Sequence, residues 1–81
     1  MRSNTLLNHI SLSPKIMTGK PVIKGTRLTV QYILKLLAEG WSFVDIKKEY
    51  DGISNEDIYA CILYASKILD NTELIPLEEA I

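Results

Sequence analysis

The chain has 81 residues, 47% of them hydrophobic and 23% charged, with a formal net charge of −1. That length fits one domain with a small core, and so apolar a composition excludes a disordered chain. No apolar run approaches the ~20 residues of a membrane span, and residues 1–10 lack the apolar centre of a signal peptide; the expectation is a soluble, cytoplasmic protein with no membrane partner.

The small net charge hides an asymmetry. Residues 1–40 carry six Lys or Arg against Glu39 alone, and residues 41–81 carry three Lys against nine acids. Such a split fits a basic face for nucleic acid and an acidic face for another partner. It fits equally a fold that mixes these charges in space. The single cysteine, Cys61, sits in an apolar run and reads as a small core residue in a reducing compartment.

In chain order, residues 8–12 read as a short strand, with Ile10 and Leu12 alternating with polar neighbours. Ser13-Pro14 breaks it. His9 is the only histidine; with no Cys or His at ligand spacing it reads as a surface or strand-edge residue, not a metal ligand. Residues 19–30 follow as Gly19-Lys20-Pro21-Val22-Ile23-Lys24-Gly25-Thr26-Arg27-Leu28-Thr29-Val30. Pro21 restricts Lys20 to extended conformations, Val22 and Ile23 favour a short strand, and Gly25 allows a turn. Lys20, Lys24 and Arg27, with Thr26 among them, make a shaped cationic surface suited to phosphates. An ordinary solvated surface is the alternative.

Three helices are predicted after that. The first covers residues 30–39, capped by Thr29, with Val30, Ile33, Leu34 and Leu37 on its buried face. Gly40 fits the left-handed position past its end, with Trp41 folding back on Leu36. The second begins at Trp41-Ser42-Phe43-Val44-Asp45-Ile46 and the third at Ile53-Ser54-Asn55-Glu56-Asp57-Ile58. Each has a Ser with Asp three positions on, a capping box. Tyr50-Asp51-Gly52 turns between them, which is a helix-turn-helix layout. In that layout the start of the third helix faces bases, making Asn55 and Tyr59 DNA-contact candidates, although Glu56 and Asp57 oppose a phosphate there.

The third helix, residues 55–69, is apolar nearly all round. Ile58, Cys61, Ile62, Ala65 and Leu69 form one face; Tyr59, Leu63, Tyr64 and Ile68 lie on the others. An 81-residue monomer has little with which to cover so much apolar surface, so a homodimer is expected. Residues 70–81 form an acidic tail with Leu74, Ile75 and Leu77 as anchors for a partner; Pro76 argues against one continuous helix, and a frayed terminus is the alternative. Tyr59 and Leu63 are further partner-contact candidates. No nucleophile stands beside a base, no metal or cofactor motif is present, and the Gly-Lys pair lacks the spacing of a phosphate cradle. An enzyme is therefore not expected.

The run from Gly19 to Val30, then Gly40-Trp41-Ser42, then Ile53 to Ile58, resembles the prokaryotic family catalogued as "domain of unknown function 433", over about residues 8–66. Ser13-Pro14 departs from the family's usual aspartate–proline, which loses a turn-capping carboxylate and keeps the proline. The resemblance implies a mainly α, three-helix, homeodomain-like helix-turn-helix bundle with a short N-terminal β element. One domain over 1–81 would then comprise a β arm and basic loop (8–28), a three-helix core (29–69) and the acidic tail (70–81). Members look like antitoxins of type II toxin–antitoxin pairs, so the resemblance implies a PIN-like ribonuclease toxin as partner and operator DNA as a ligand. A free-standing dimeric DNA-binding transcriptional regulator is the alternative.

Overall fold

The computed structural model describes residues 3–70, with side-chain burial described from Thr5 onward. The elements are helix α1 (Ser3–Leu7), strand β1 (Ile10–Ser11), a 3-10 turn (Met17–Gly19), strand β2 (Val22–Ile23), and helices α2 (Val30–Ala38), α3 (Phe43–Glu49) and α4 (Asn55–Asp70). Helix dominates, and β1 and β2 pair antiparallel with Ile10 opposite Ile23 and Ser11 opposite Val22. None of the described helices is long and apolar enough to cross a membrane. The tail candidates Leu74, Ile75 and Leu77 lie outside the described residues.

The described residues hold four helices where three were predicted. The extra one, α1, has five residues, too few for a periodic stripe or for stability alone. It exists by packing against α4. The strand expected over residues 8–12 contracts to Ile10–Ser11, because its partner β2 offers only two residues. Met17 and Thr18 between the strands take positive φ, 49° and 55°, a conformation that costs residues with a Cβ about 1 kcal/mol each.

Helix boundaries follow their caps. The Thr29 hydroxyl accepts from the Tyr32 amide at 3.0 Å and starts α2. Gly40, at φ 96°, ends it: its amide donates to the Leu37 carbonyl and that of Trp41 to the Leu36 carbonyl, both at 3.0 Å. This is the Schellman pattern. Both capping boxes form. Ser42 and Asp45 exchange bonds of 2.9 and 3.0 Å, and Ser54 and Asp57 exchange bonds of 2.9 and 3.1 Å. An aspartate therefore reaches the N-cap amide directly.

The core joins one isoleucine from each major element: Ile23 of β2, Ile33 of α2, Ile46 of α3 and Ile58 of α4, with Cys61 beside them. Two predicted faces shift. On α2 it is Leu36 that is fully buried with Val30 and Ile33, while Leu34 and Leu37 are half-buried. On α4, Ala60 joins Ile58 and Cys61 inside, whereas Ile62 and Leu69 are exposed. The reason is that α4 is the central helix, packed by α1, α2 and β1. Several neighbours choose the buried sector of such a helix, not its own apolar stripe.

Candidate functional site

The segment from Pro21 to Val30 folds as a tight hairpin. The Val30 amide donates to the Pro21 carbonyl and the Ile23 amide to the Leu28 carbonyl, both at 2.9 Å. The turn at its tip is closed by the Thr26 amide on the Ile23 carbonyl at 3.0 Å, with Gly25 at φ 82°. That geometry is a type II turn, whose third residue must accept positive φ. The Thr26 hydroxyl donates to the Ile23 carbonyl at 2.8 Å and accepts from the Leu28 amide at 3.0 Å. Thr26 thus fixes the turn with both its donor and its acceptor. Lys24 and Arg27 flank this tip, exposed, with no ion pair among the described residues. Lys20, also exposed, stands beyond the hairpin's open end. Strand geometry of about 3.3 Å per residue puts it roughly 13 Å along the chain from Lys24. The three cations are therefore divided between two ends.

The tip is tied to α4. The Lys24 amide donates to the His9 carbonyl at 2.7 Å, and the His9 ring Nδ1 lies 2.7 Å from Asp57 Oδ1. Asp57 Oδ2 at the same time accepts from the Ser54 amide. Asn55 and Glu56 are exposed on the first turn of α4, and the Tyr59 ring meets Phe43 edge-on at 5.1 Å. Glu56 and Asp57 give this helix start the sign that suits its own dipole and disfavours phosphate. His9, expected as a surface or strand-edge residue, stands half-buried just before β1; its partner was not legible in the sequence, since 48 positions separate the two.

A groove of about 410 Å³ opens between the start of α2 and the last turns of α4. Pro21, Val30 and Leu34 form one wall, and Tyr64, Ile68 and Leu69 the other. Leu63 is half-buried on α4 outside this groove, and Tyr59 is exposed. Two tyrosines join α2 to the end of α3: the Tyr32 and Tyr50 hydroxyls are hydrogen-bonded, with their rings edge-on at 5.9 Å. That bond, more than desolvation, pushes the Tyr50 hydroxyl up to about 12. Burial pushes the Cys61 thiol up to about 12 as well, with the Asp57 charge adding to it. A thiol so held is not a nucleophile at neutral pH. Among the described residues no three His, Cys, Asp or Glu side chains converge to hold a metal.

Residues 10–65 match the sequence model of a family described as "Protein of unknown function (DUF433)". A crystal structure of a DUF433 member from Anabaena variabilis ATCC 29413 shares the fold, with a TM-score of 0.73 at 24% identity. The alignment covers 83% of this chain and 66% of that one, so the chain spans just under two thirds of the length of its solved relative. No curated protein matches the chain.

Proposed function

This chain belongs to the DUF433 family, and on that footing we propose that it is the antitoxin-like component of a type II toxin–antitoxin pair, acting in the cytoplasm. In this reading it binds and neutralises a PIN-like ribonuclease toxin and binds operator DNA, with α3, the turn and α4 as a homeodomain-like helix-turn-helix. The observation that supports it best is the groove between α2 and α4, walled by apolar side chains and continuous with the exposed Ile68 and Leu69. An apolar cleft of this kind is how a small domain holds an apolar segment of another protein. The acidic tail, residues 70–81, with Leu74, Ile75 and Leu77, is proposed as a further partner-binding segment.

The test is capture of the tagged full chain from its native host at moderate salt, followed by mass spectrometry and a ribonuclease assay of the partner. A stoichiometric small ribonuclease that is silenced by the chain supports the reading. The variant Leu34→Asp is expected to release it. Recovery of DNA fragments with no protein partner overturns it.

The alternative, a free-standing dimeric DNA-binding regulator, draws on one feature: Lys24 and Arg27 exposed at a rigid hairpin tip. Here Arg27→Ala is expected to weaken DNA binding uniformly across sequences and to reduce the salt slope by about 1. Removal of residues 71–81 leaves DNA affinity unchanged in this reading.

A further inference from the structure

We propose that residues 71–81 fold back within the same chain and lay Leu74 and Leu77 into the groove between α2 and α4. That groove presents Val30 and Leu34 on one wall and Ile68 and Leu69 on the other. Ile68 is 49% and Leu69 53% exposed, so this wall is left uncovered by the described residues. No charged side chain among them lines the groove. Its polar side chains, Gln31 and Tyr64, have no hydrogen-bond partner among the described residues. Each carries both a donor and an acceptor, which is what the backbone of an extended segment needs when it enters an apolar cleft.

The segment begins where the groove begins. Leu69 lines the groove, Asp70 is the last described residue of α4, and the sequence runs on to Ile81. Asn71 suits the left-handed conformation that turns a chain after a helix. Three residues, Asn71 to Glu73, reach up to about 10 Å, enough to bring the chain back along α4. Pro76 restricts Ile75 to extended conformations. In an extended helix of three residues per turn, Leu74 and Leu77 share one side about 9 Å apart. The wall from Tyr64 to Leu69 is about 8 Å long, so two anchors at that spacing fill it.

Charge agrees at both ends. Glu73 precedes the run Leu74-Ile75-Pro76-Leu77, and Glu78 and Glu79 follow it. Lys20 is joined to the wall residue Pro21, whose carbonyl accepts from the Val30 amide, and so stands at the end where α2 starts. Lys35 lies one turn beyond Gln31 on α2, with only an exposed 4.0 Å contact to Glu39. Acid, apolar, acid thus meets cation, apolar, cation. Tethering selects this segment over a second copy. A short linker gives a local concentration on the order of 1 mM, about a thousandfold above a rival present at 1 μM. The docking itself needs no partner. Its consequence rests on the antitoxin reading: groove and tail are then one site, closed on itself in the free chain and opened by the toxin.

The test compares amide NMR spectra of the full chain and its double variant Leu74→Asp, Leu77→Asp. Shifts are expected at Val30, Gln31, Leu34 and Tyr64, unchanged on dilution. Shifts confined to residues 69–81 overturn the proposal, as do groove shifts that fade on dilution, which would assign the groove to a second copy's tail. A disulfide trap checks it without charge in the tail. Gln31→Cys with Leu77→Cys is expected to close within one chain several-fold faster than Val44→Cys with Leu77→Cys, Cys61 being buried in both. Equal rates overturn it. Groove shifts with no ribonuclease captured leave the docking standing and the antitoxin reading fallen; a silenced ribonuclease with no groove shifts does the reverse.

Discussion

His9 Nδ1 and Asp57 Oδ1 lie 2.7 Å apart and join the start of β1 to the first turn of α4. The same carboxylate closes the α4 capping box through Oδ2. The ring N–H donates to a carboxylate that is already doing a second job, so the two bonds hold each other in place. Through the Lys24 amide on the His9 carbonyl, the hairpin tip is fastened to the same point.

Removing the ring therefore loosens a junction and not a single contact. His9→Ala is expected to lower stability by about 1 kcal/mol, the usual net contribution of a partly exposed hydrogen bond. Asp57→Ala loses this bond and the cap together, about 2 kcal/mol in all. A urea double-mutant cycle checks it. The double variant is expected to be less destabilised than the sum of the two singles, because the His9 bond is lost in both.

At the hairpin tip, an added methyl group at Gly25 would meet nothing within 4 Å. Any cost of Gly25→Ala is therefore one of backbone conformation, since φ is 82° there. The expected loss is about 1–2 kcal/mol. It is read as a fall in the urea midpoint with an unchanged slope. Gly25→Asn, which tolerates that region better, is expected to lose less.

What the sequence made legible is what lies within one turn of a helix. Thr29 with Tyr32, Ser42 with Asp45, Ser54 with Asp57, and Gly40 after α2 are all pairs or positions that local spacing decides, and all four formed. Relationships that the fold decides were hidden. Helix α1 is too short to announce itself and depends on α4. The pairing of His9 with Asp57 spans 48 positions. Ile62 and Leu69 share the period of Ile58 and Cys61, yet face solvent because the neighbours of α4 cover a different sector. For the same reason Lys20 reads as a neighbour of Lys24 and Arg27 in sequence and stands at the other end of the hairpin.

Cys61 is fully buried and its thiol is raised to about 12. Thiolate is the reacting species, so both access and ionisation oppose reaction. The native chain is expected to resist a disulfide reagent at pH 8 for as long as it stays folded, and to react promptly in concentrated guanidinium. Native labelling should follow the frequency of opening, so Gly25→Ala, which lowers stability, should speed it. Rapid stoichiometric labelling of the native chain would show that α4 opens near Cys61 without global unfolding.

The Ser42–Asp45 box carries a pH dependence with a definite sign. The Asp45 carboxyl is held below its ordinary value of 3.8, first by the Ser42 amide and then by the Ser42 hydroxyl. A carboxyl depressed in the folded state contributes its stability above its unfolded value, and loses it as pH falls through the folded one. At neutral pH, Asp45→Asn is expected to be less stable than the parent, by an amount that a fully exposed group keeps small. As pH falls from 3.8 through the lower folded-state value the two proteins should converge, since only there does the folded parent's carboxylate become protonated. Urea midpoints of both proteins between pH 7 and pH 2 read this directly. Ser42→Ala supplies the control: it removes the hydroxyl donor–acceptor and leaves the Ser42-position amide on Asp45. Its loss of about 1 kcal/mol should persist in acid in the part that comes from the missing bond to the Asp45 amide, and only the remainder should vanish with protonation.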